Sequence, residues 1–574
     1  MKKIYKSMFV LLIAGLVSSC TDYLTQPPYD STTDGEYWQT EDHIRTYCHQ
    51  LYPVYFAGYG ASGILGGTFG AALGSTDDVA DNVQSEFTPI RIPETDGSWT
   101  FTNIRKANYI IQSVDRMQDE GLLSLETYNH WMGVARLFRA MAYSSLTFQY
   151  GDVPWFDHVL SSTEYDQLYK DRDPRLEVDE KILADYKFAV ENIRTNDGVL
   201  QINRYVAAGM AARYMLREAT FLKYHNISQE KAQEYLAFVK QACLVAMDGP
   251  YKVADNYNSL FSSDDLSGNT EVLMYRKYAE GILMHSTLSY NNTEAQTGAS
   301  KDLLYSYLDA DGLPVQLTAG YNPKTAEEFF KDRDPRLTAT FRPAYYIRGD
   351  KTAPFSYSTS GYSCRKFMDD SQAGSTATKF ALQQNITDAP CLRLGEVLVT
   401  YAEACYELGS LTQKDLDISI NLLRSRAGME LPKLQVIGGQ PAVNNQVYDD
   451  PTRDPDVPAM LWEIRRERRI ELYAEGLRLN DLKRWKKLDY MYNGTNPDIR
   501  YGAYIRYADY PDANKTEVQI ENGASEGFIL CNRGTQRKAP QDKHYVKPVP
   551  KQQIQLYKDH GYTLSQTKAW ENEE

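Results

Sequence analysis

The cysteine at position 20 is the residue whose surroundings most clearly specify a chemical reaction. Three lysines within the first six residues precede an apolar run over residues 8–17, and two serines then lead into Cys20. Positive charge, an apolar run and small residues at the exit are typical of a secretory signal peptide. A cysteine at the cleavage position indicates lipid attachment to its thiol. We therefore expect residues 1–19 to be a signal peptide and Cys20 to carry lipid; the alternative is an ordinary signal peptide with a chance cysteine.

The apolar run is too short to cross a bilayer, which takes roughly 20 apolar residues. No other run in the sequence approaches that length. The chain is therefore predicted to be anchored to a membrane through lipid only, and two or more acyl chains make such an anchor stable. Residues 20–40 are polar and rich in turn formers, which predicts a lipidated tether. We expect a single body over residues 41–574.

Patterns typical of catalytic and cofactor sites are absent or incomplete. The sequence has 8 His and contains neither HExxH nor GxSxG, which disfavours zinc and serine hydrolases. The GxGxxG string at 58–63 is followed by more Gly and Ala rather than by a periodic helix, so it indicates a flexible loop. We expect no catalysis and no cofactor. The Asp309-Ala-Asp-Gly312 segment lacks the Glu that completes a calcium loop, so a structural calcium ion stays an unsupported alternative.

Tyrosine is the unusual feature of the composition, with 44 residues against 19 Phe and 7 Trp. A Tyr ring combines an apolar face with a hydroxyl, which suits ligands such as sugars; the alternative is that these rings line contacts between helices. Sugar hydroxyls also need partners such as Asn, Asp or Arg. For each candidate a structural role competes, and Trp99 in particular could anchor a helix predicted at 103–117. The candidate ligand-binding residues are Asp77, Asp78, Arg91, Trp99, Tyr278, Tyr290, Asn291 and Tyr345.

The charge and the remaining cysteines narrow the partners. The formal net charge is -14, and loss of the three signal-peptide lysines lowers it to -17. An acidic body argues against nucleic acid and against a basic membrane patch. The six cysteines after Cys20 show no CxxC pair and no metal spacing. Secretion permits disulfides, and the sequence singles out none of the many possible pairings. Cys405 lies on an apolar helix face, which favours a buried free thiol.

Apolar residues repeat at spacings of three and four in many segments, which predicts amphipathic helices. The clearest stripe runs from Val134 to Phe148 and is ended by Gly151 and Pro154. A hairpin of two such helices cannot bury its own stripe, so we expect the hairpins to stack as degenerate tetratricopeptide-like repeats. Further stripes lie at 182–193, 205–224, 232–246, 394–408, 415–427, 458–475 and 477–488.

The predicted fold is therefore mostly α, with two kinds of region. Helical hairpins near 134–248 and 391–490 form the scaffold. Regions near 55–100, 250–390 and 490–545 are rich in Gly, Asn, Asp, Ser and Tyr and show little periodicity. Since long loops in a compact protein are usually functional, we expect them to form an irregular ligand-binding subdomain.

Two charged segments compete as functional patches. In the segment 463–478, Glu463 with Arg466 and Arg468 with Glu471 lie three residues apart and can pair on a helix. Because an apolar stripe runs through the same segment, we interpret it as a scaffold helix rather than a basic patch. The sequence DRDPRL occurs twice, and its Asp-Pro turn can start a helix, so both copies are interpreted as structural.

A set of long segments follows a familiar order along the chain. They are CTDYL at 20–24, RLFRAMAYSSLTFQYGDVP at 136–154, KDRDPRL at 331–337, LRLGEVLVTYAEACYELG at 392–409, INLLRSRAGM at 420–429, WEIRRERRIELYAEGLRLNDLKRW at 462–485 and HYVKPVPKQQI at 544–554. Together they resemble the SusD/RagB family of outer-membrane lipoproteins of Bacteroidetes. Two features depart from that pattern: a second KDRDPRL at 170–176, and the segment 560–574, which extends past the usual ending.

The resemblance implies four tetratricopeptide-like units and an irregular binding subdomain. It implies an outer-membrane, cell-surface position over a SusC-type TonB-dependent transporter, and capture of an oligosaccharide, or sometimes a peptide, for import. We therefore expect a glycan-binding lipoprotein without catalysis. The alternatives are the same role with peptide cargo, a secreted glycoside hydrolase with its acidic pair among the 76 Asp and Glu, and a scaffold that contacts only the transporter.

Overall fold

The computed structural model describes residues 37–59, 76–80, 87–292, 298–351, 357–372, 374–531 and 537–573, and at 290–292 and 372 it describes the backbone alone. The predicted signal peptide, Cys20 and nearly all of the predicted tether lie outside the described residues. Within the ranges described, no helix is both long and apolar enough to cross a membrane.

Helices begin where the sequence supplies polar caps. Ser124, Asn203 and Ser228 each accept hydrogen bonds from backbone N–H groups of the first turn that follows them, which satisfies donors that a helix leaves free at its start. Helices of eight or more residues among those described span Glu41–Cys48 (α1), Thr102–Asp119 (α2), Leu125–Tyr150 (α3), Arg175–Asn192 (α4), Arg204–Tyr224 (α5), Gln229–Met247 (α6), Leu394–Glu407 (α7), Ala459–Glu471 (α8) and Lys551–Asp559 (α9).

Shorter helical segments and small sheets fill the rest of the described chain. The short α-helices are Tyr52–Tyr55, Tyr165–Leu168, Ser259–Ser262, Thr287–Asn292, Lys301–Ser306, Ala326–Phe330, Pro335–Thr340, Gln413–Asp417, Ile420–Arg424 and Arg478–Arg484. The 3-10 turns are Val315–Leu317, Asp370–Gln372, Thr378–Phe380, Leu488–Met491, Pro497–Arg500, Glu521–Gly523, Asp542–Tyr545 and Lys568–Trp570.

The strands are β1 (Val272–Arg276), β2 (Phe341–Tyr345), β3 (Tyr362–Cys364), β4 (Ala389–Arg393), β5 (Gln435–Ile437), β6 (Gln440–Val443), β7 (Gln446–Val447), β8 (Tyr501–Arg506) and β9 (Glu526–Leu530). All pairs are antiparallel: β1 with β4, β2 with β3, β5 with β6 and β7 in turn, and β8 with β9.

The long helices stack in the order of the chain, each from α2 to α8 packing on the next. Their apolar stripes share one large core, in which Leu137, Val206 and Leu236 have no exposed surface. A second core lies in the loop-rich part and is built around rings such as Tyr307 and Phe341. The mostly helical fold with stacked hairpins is therefore confirmed. Cys405 is buried and free, as expected from its helix face.

Two local predictions are wrong. The stripe at 415–427 is not one helix but two short ones, because Ser419 between them has a non-helical backbone (φ -135°, ψ -100°). Arg468 does not pair with Glu471; its Nε donates to Asp481 at 2.9 Å, while Glu471 faces a different set of cations. The predicted Glu463–Arg466 pair is present at 3.1 Å.

A buried cluster of charges joins the loop-rich part to the scaffold. Arg393 at the end of β4 donates to Glu271, Glu471 and Glu475 at 2.7–2.9 Å. Five cations and five carboxylates make up the cluster, so its formal charges cancel. Its members are Lys366, Arg336, Arg393, Arg424 and Arg426 with Glu271, Asp334, Glu467, Glu471 and Glu475.

The helix α8 is consequently two-sided. Glu467 and Glu471, four residues apart, point into the buried cluster. Arg336, in the DRDPRL copy at 332–337, donates to Glu467 at 2.8 Å. The other side of α8 carries Trp462, Arg465 and Arg469, which line an open cleft. The buried pairing of Arg336 supports a structural role for that DRDPRL copy. For α8, a structural role is supported only for the side that faces the buried cluster.

The second DRDPRL copy has its own buried partner. Arg175 donates to both carboxylate oxygens of Glu218 at 2.6 and 2.7 Å, which fixes α4 on α5. The residues just before it bind the segment that extends past the usual family ending: Arg172 donates to the carbonyl of Gln566 at 2.6 Å, and Asp171 accepts from the N–H of Ser565 at 2.8 Å. The two departures noted in the sequence thus pack against each other.

Candidate functional site

Asp77 and Asp78 lie among arginines rather than in a solvated loop. Asp77 is 1% exposed and accepts from Arg478 at 2.6 and 2.9 Å. Asp78 accepts from Arg469 at 2.7 Å. Burial alone would raise the pKa of Asp77, but Arg469 and Arg478 outweigh it and lower the pKa to about 2. Both carboxylates therefore hold arginines in place, and Asp77 lines the cleft beside α8 with its charge already neutralised.

Three of the predicted aromatic residues are buried. Tyr278 is 3% exposed, and its hydroxyl accepts from the backbone N–H of Tyr59 at 2.8 Å. Tyr345 is 6% exposed and lies edge-on to Tyr362. Trp99 is 8% exposed and packs edge-on against Tyr150 just before α2, as the anchoring alternative predicts. Tyr278 and Tyr345 are enclosed in this way and offer no free face to a sugar, whereas Trp99 also lines a second cleft, described below.

No described contact links the remaining candidate residues to those already discussed. Arg91 is exposed on an irregular segment. Tyr290 and Asn291 fall in the short helix Thr287–Asn292, but their side chains lie outside the described part of the structure. Asp309, the start of the incomplete calcium pattern, accepts from Thr318 and lies 3.7 Å from Arg333. None of the described residues forms a group of three or more side chains suited to a metal ion.

A cleft of about 590 Å³ lies beside α8, and we call it the Trp462 cleft. The helix Lys301–Ser306 and the segments 450–456 and 487–498 supply its other walls. Trp462 and Tyr490 are partly exposed in it, with ring centroids 6.4 Å apart and planes at 74°. Two rings at this angle form a corner with apolar faces, which suits a ligand with both apolar faces and polar edges.

Carboxylates fix both rings of that corner. The indole N–H of Trp462 donates to Asp450 at 3.0 Å. The hydroxyl of Tyr490 donates to Asp454 at 2.6 Å, and Lys487 donates to the same carboxylate at 2.7 Å. Because each ring is held by a charged hydrogen bond, the corner is ordered before any ligand arrives, which lowers the entropy lost on binding.

Among the predicted residues whose side chains the structure describes, Asp77 lines this cleft, but the aromatic corner of the cleft is not among the sequence predictions. Trp462 and Arg465 were quoted only as part of a charged scaffold helix, and Tyr490 was not singled out. The available signal was their spacing: residues 462, 465 and 469 recur at three and four, so they share one side of a helix. Periodicity identifies such a side but does not say whether another part of the chain covers it.

A second cleft of about 480 Å³ lies between α2, the helix Tyr165–Leu168 and α9. Trp99, Phe101 and Phe156 line it together with Tyr169. It has few charged groups, and Tyr169 is stacked on His560 with ring centroids 4.4 Å apart. Of the two clefts, the Trp462 cleft combines more polar and aromatic groups.

Stacked helical hairpins that carry an open cleft with an aromatic corner define a binding protein built on a repeat scaffold. The chain belongs to the SusD family, because the model of that family matches residues 264–570, more than half of its length. Proteins of this family are non-catalytic. No curated protein sequence matches the chain.

Solved structures support the same fold. A SusD-like carbohydrate binding protein from Bacteroides fragilis is 19% identical, with coverage of 91% of this chain and 98% of that chain and a TM-score of 0.62. A second SusD-like protein from Bacteroides fragilis is 18% identical, covers 95% and 100%, and has a TM-score of 0.61. A structure described with xylogluco-oligosaccharide is 18% identical, covers 89% and 96%, and has a TM-score of 0.55.

Proposed function

We propose that this chain is a cell-surface lipoprotein of the outer membrane that binds an oligosaccharide or polysaccharide and delivers it to a SusC-type TonB-dependent transporter. In this proposal lipid on Cys20 holds the chain to the membrane. The observation that carries the binding role is the corner of Trp462 and Tyr490, since sugars stack their C–H faces on such rings.

Polar groups around the corner suit the edges of a sugar. Thr452 and Asn496 line the cleft beside the rings, and the side-chain amide of Asn496 donates to the carbonyl of Tyr490 at 3.3 Å. The ligand class is supported by the relatives: one is described as a carbohydrate binding protein and another was solved with xylogluco-oligosaccharide. Because the cleft is open and buries little ligand surface, we expect modest affinity for a single sugar segment.

Arg91, Tyr290 and Asn291 remain in the proposal as a separate contact region. Nothing in the described contacts ties them to the Trp462 cleft, so they are tested as an independent site. The two regions make different predictions for single substitutions.

The test is binding of the purified chain to a panel of plant, algal and host polysaccharides, by affinity electrophoresis and then by calorimetry. Tyr490→Ala is expected to weaken binding of the recognised glycan about threefold to tenfold, because one stacked ring is worth ~0.5–1.5 kcal/mol. Tyr169→Ala in the second cleft is the matched control and should leave affinity unchanged. Thermal melting of each variant checks that the fold is retained.

Several outcomes would contradict the proposal in distinguishable ways. Release of reducing sugar during incubation would favour the hydrolase alternative. Binding to peptides but not to glycans would change the cargo. If Tyr290→Ala lost binding while Tyr490→Ala kept it, the glycan site would lie in the contact region of Arg91, Tyr290 and Asn291. Absence of binding to any glycan or peptide would favour a pure scaffold.

The delivery step is tested separately. The chain is expected to co-purify from outer membranes with a transporter of the SusC type, and Tyr490→Ala should not disturb that complex. A chain that purifies alone under the same mild detergent conditions would argue against delivery while leaving the binding role intact.

A further inference from the structure

Arg465 is a buried guanidinium on the wall of the Trp462 cleft that lacks a hydrogen-bonded partner. It is 5% exposed and lines the cleft from α8. Its Nε and Nη2 nitrogens are buried and donate to no described residue. An oxygen of Glu407 lies 3.8 Å from Nη2, which is longer than a hydrogen bond.

Glu407 is already committed to other donors. It accepts from the hydroxyl of Tyr224 at 2.6 Å and from Nζ of Lys223 at 2.7 Å. The guanidinium of Arg465 instead lies over the rings of Trp485 and Tyr224, 4.3 and 5.0 Å from their centroids. Cation–π contacts use the face of the guanidinium and leave its N–H groups in the plane without acceptors.

The other cations of the cleft are neutralised by carboxylates within the chain. Arg469 pairs with Asp78 and Asp302, each at 2.7 Å. Further pairs are Arg466 with Asp450, Arg478 with Asp77, Lys487 with Asp454 and Arg453 with Asp449. Among the described side chains that line the cleft, Arg465 is the cation left without a hydrogen-bonded carboxylate.

A buried guanidinium without a hydrogen-bonded carboxylate is unfavourable, since its N–H groups have lost water and gained no acceptor. An anionic group on a ligand would supply that acceptor. The planar guanidinium fork matches the two oxygens of a carboxylate or a sulfate. Asp489 also lines the cleft and makes no ion pair within the described residues, so it would repel an anion placed beside it but can accept from sugar hydroxyls.

We propose that the Trp462 cleft selects glycans that carry acidic groups, with Arg465 binding a carboxylate or sulfate of the sugar. This inference rests on the proposed glycan-binding function and names its ligand class. Trp462 and Tyr490 hold the sugar rings, and Arg465 supplies the discrimination between charged and neutral forms of one backbone.

The first experiment needs no variant. Calorimetry with the purified chain compares oligogalacturonate with its carboxyl-reduced form, and a sulfated oligosaccharide of a neutral galactan with its desulfated form. The two pairs separate a carboxylate from a sulfate. We expect one acidic member to bind about tenfold to a hundredfold more tightly than its neutral counterpart, as for one charge-assisted hydrogen-bonded pair. The preference should weaken as salt rises.

The second experiment places the discrimination on Arg465. Arg465→Met should erase the preference. Its melting temperature should fall only slightly, because the variant loses cation–π contacts but no described residue loses a hydrogen bond. Arg465→Lys keeps the charge without the fork and should retain part of the preference. Asp489→Asn removes a negative charge that would repel an acidic glycan, so the affinity for acidic glycans should stay equal or increase.

Each contrary result has a separate meaning. Binding of neutral glycans with no preference for acidic forms would overturn this inference and leave the proposed function standing. An acidic preference that persists in Arg465→Met would also overturn it. If Asp489→Asn lost binding while Arg465→Met bound as the unaltered chain does, the ligand would be cationic and the inference would be refuted. No glycan binding at all would remove the proposed function together with the inference.

Discussion

Substitution of Arg393 by Met tests whether the buried charge cluster holds the loop-rich part on the scaffold. Arg393 is 1% exposed and donates to three carboxylates and to the carbonyl of Glu471 at 2.7 Å. Met keeps much of the side-chain volume and removes the charge. The cluster would change from five cations against five carboxylates to four against five, and one buried negative charge would stay uncompensated.

Breaking a buried ion pair by removing one partner costs about 3–5 kcal/mol, because the group left behind is buried without its counter-charge. Unfolding entropy near 2.1 cal/mol/K per residue gives about 1.2 kcal/mol/K for a chain of this length, so the melting temperature should fall by roughly 2.5–4 °C. The affected carboxylates keep some partners: Glu475 retains Lys366, and Glu271 retains Arg426. Those pairs keep the loss near the lower bound.

The assay is thermal melting and urea unfolding of the purified variant beside Arg465→Met. The two substitutions remove the same chemical group from equally buried positions, yet Arg465 has no hydrogen-bonded carboxylate to strand. Arg393→Met should be destabilised clearly more than Arg465→Met, which loses only its cation–π contacts. Equal losses in both variants, or none in Arg393→Met, would show that pairing within the cluster does not decide its stability.

Three further outcomes are expected. Gly395→Ala should destabilise the chain by about 1–3 kcal/mol in urea unfolding, because an added Cβ would overlap Nη1 of Arg393; a melting curve like that of the unaltered chain would contradict this. Because the folded pKa of Asp77 lies at about 2, below its ordinary 3.8, its contribution is present above that ordinary value and is lost as pH falls toward 2. The gap in melting temperature between the unaltered chain and Asp77→Asn should therefore narrow between pH 5 and pH 3, whereas a constant gap would argue against the Arg469 and Arg478 pairing. Cys20→Ser should move the chain from the membrane fraction to the soluble fraction, and unchanged membrane association would refute lipid attachment there.

The helical scaffold could be predicted because its information is local. The stripe at 205–224 matches α5 within one residue, since apolar spacing and the Asn203 cap lie in the same stretch of sequence. The stripe at 415–427 failed because Ser419 breaks the helix through its backbone angles, which apolar spacing does not record. The predicted pairing of Arg468 with Glu471 was wrong for a related reason. Glu471 forms ion pairs with Arg393 and Arg426 instead.

The candidate site could not be predicted in the same way. Asp77 and Asp78 read as solvated loop residues, but their arginines lie more than 390 positions away on α8 and beyond it. Tyr278 reads as a candidate platform until Tyr59, 219 residues earlier, is found against it. Burial of a polar or aromatic side chain depends on such distant contacts, which residue type alone does not reveal.

The contact between the DRDPRL copy at 170–176 and residues 562–570 has a consequence for the order of folding. Tyr562 donates to Asp166 across 396 positions, and Trp570, with no exposed surface, donates to the carbonyl of Val546. The early hairpins thus gain their last neighbours only after almost the entire polypeptide has emerged. Pairing across so long a loop is slow. A tag or a protease cut close to position 570 is therefore expected to disturb hairpins hundreds of residues upstream.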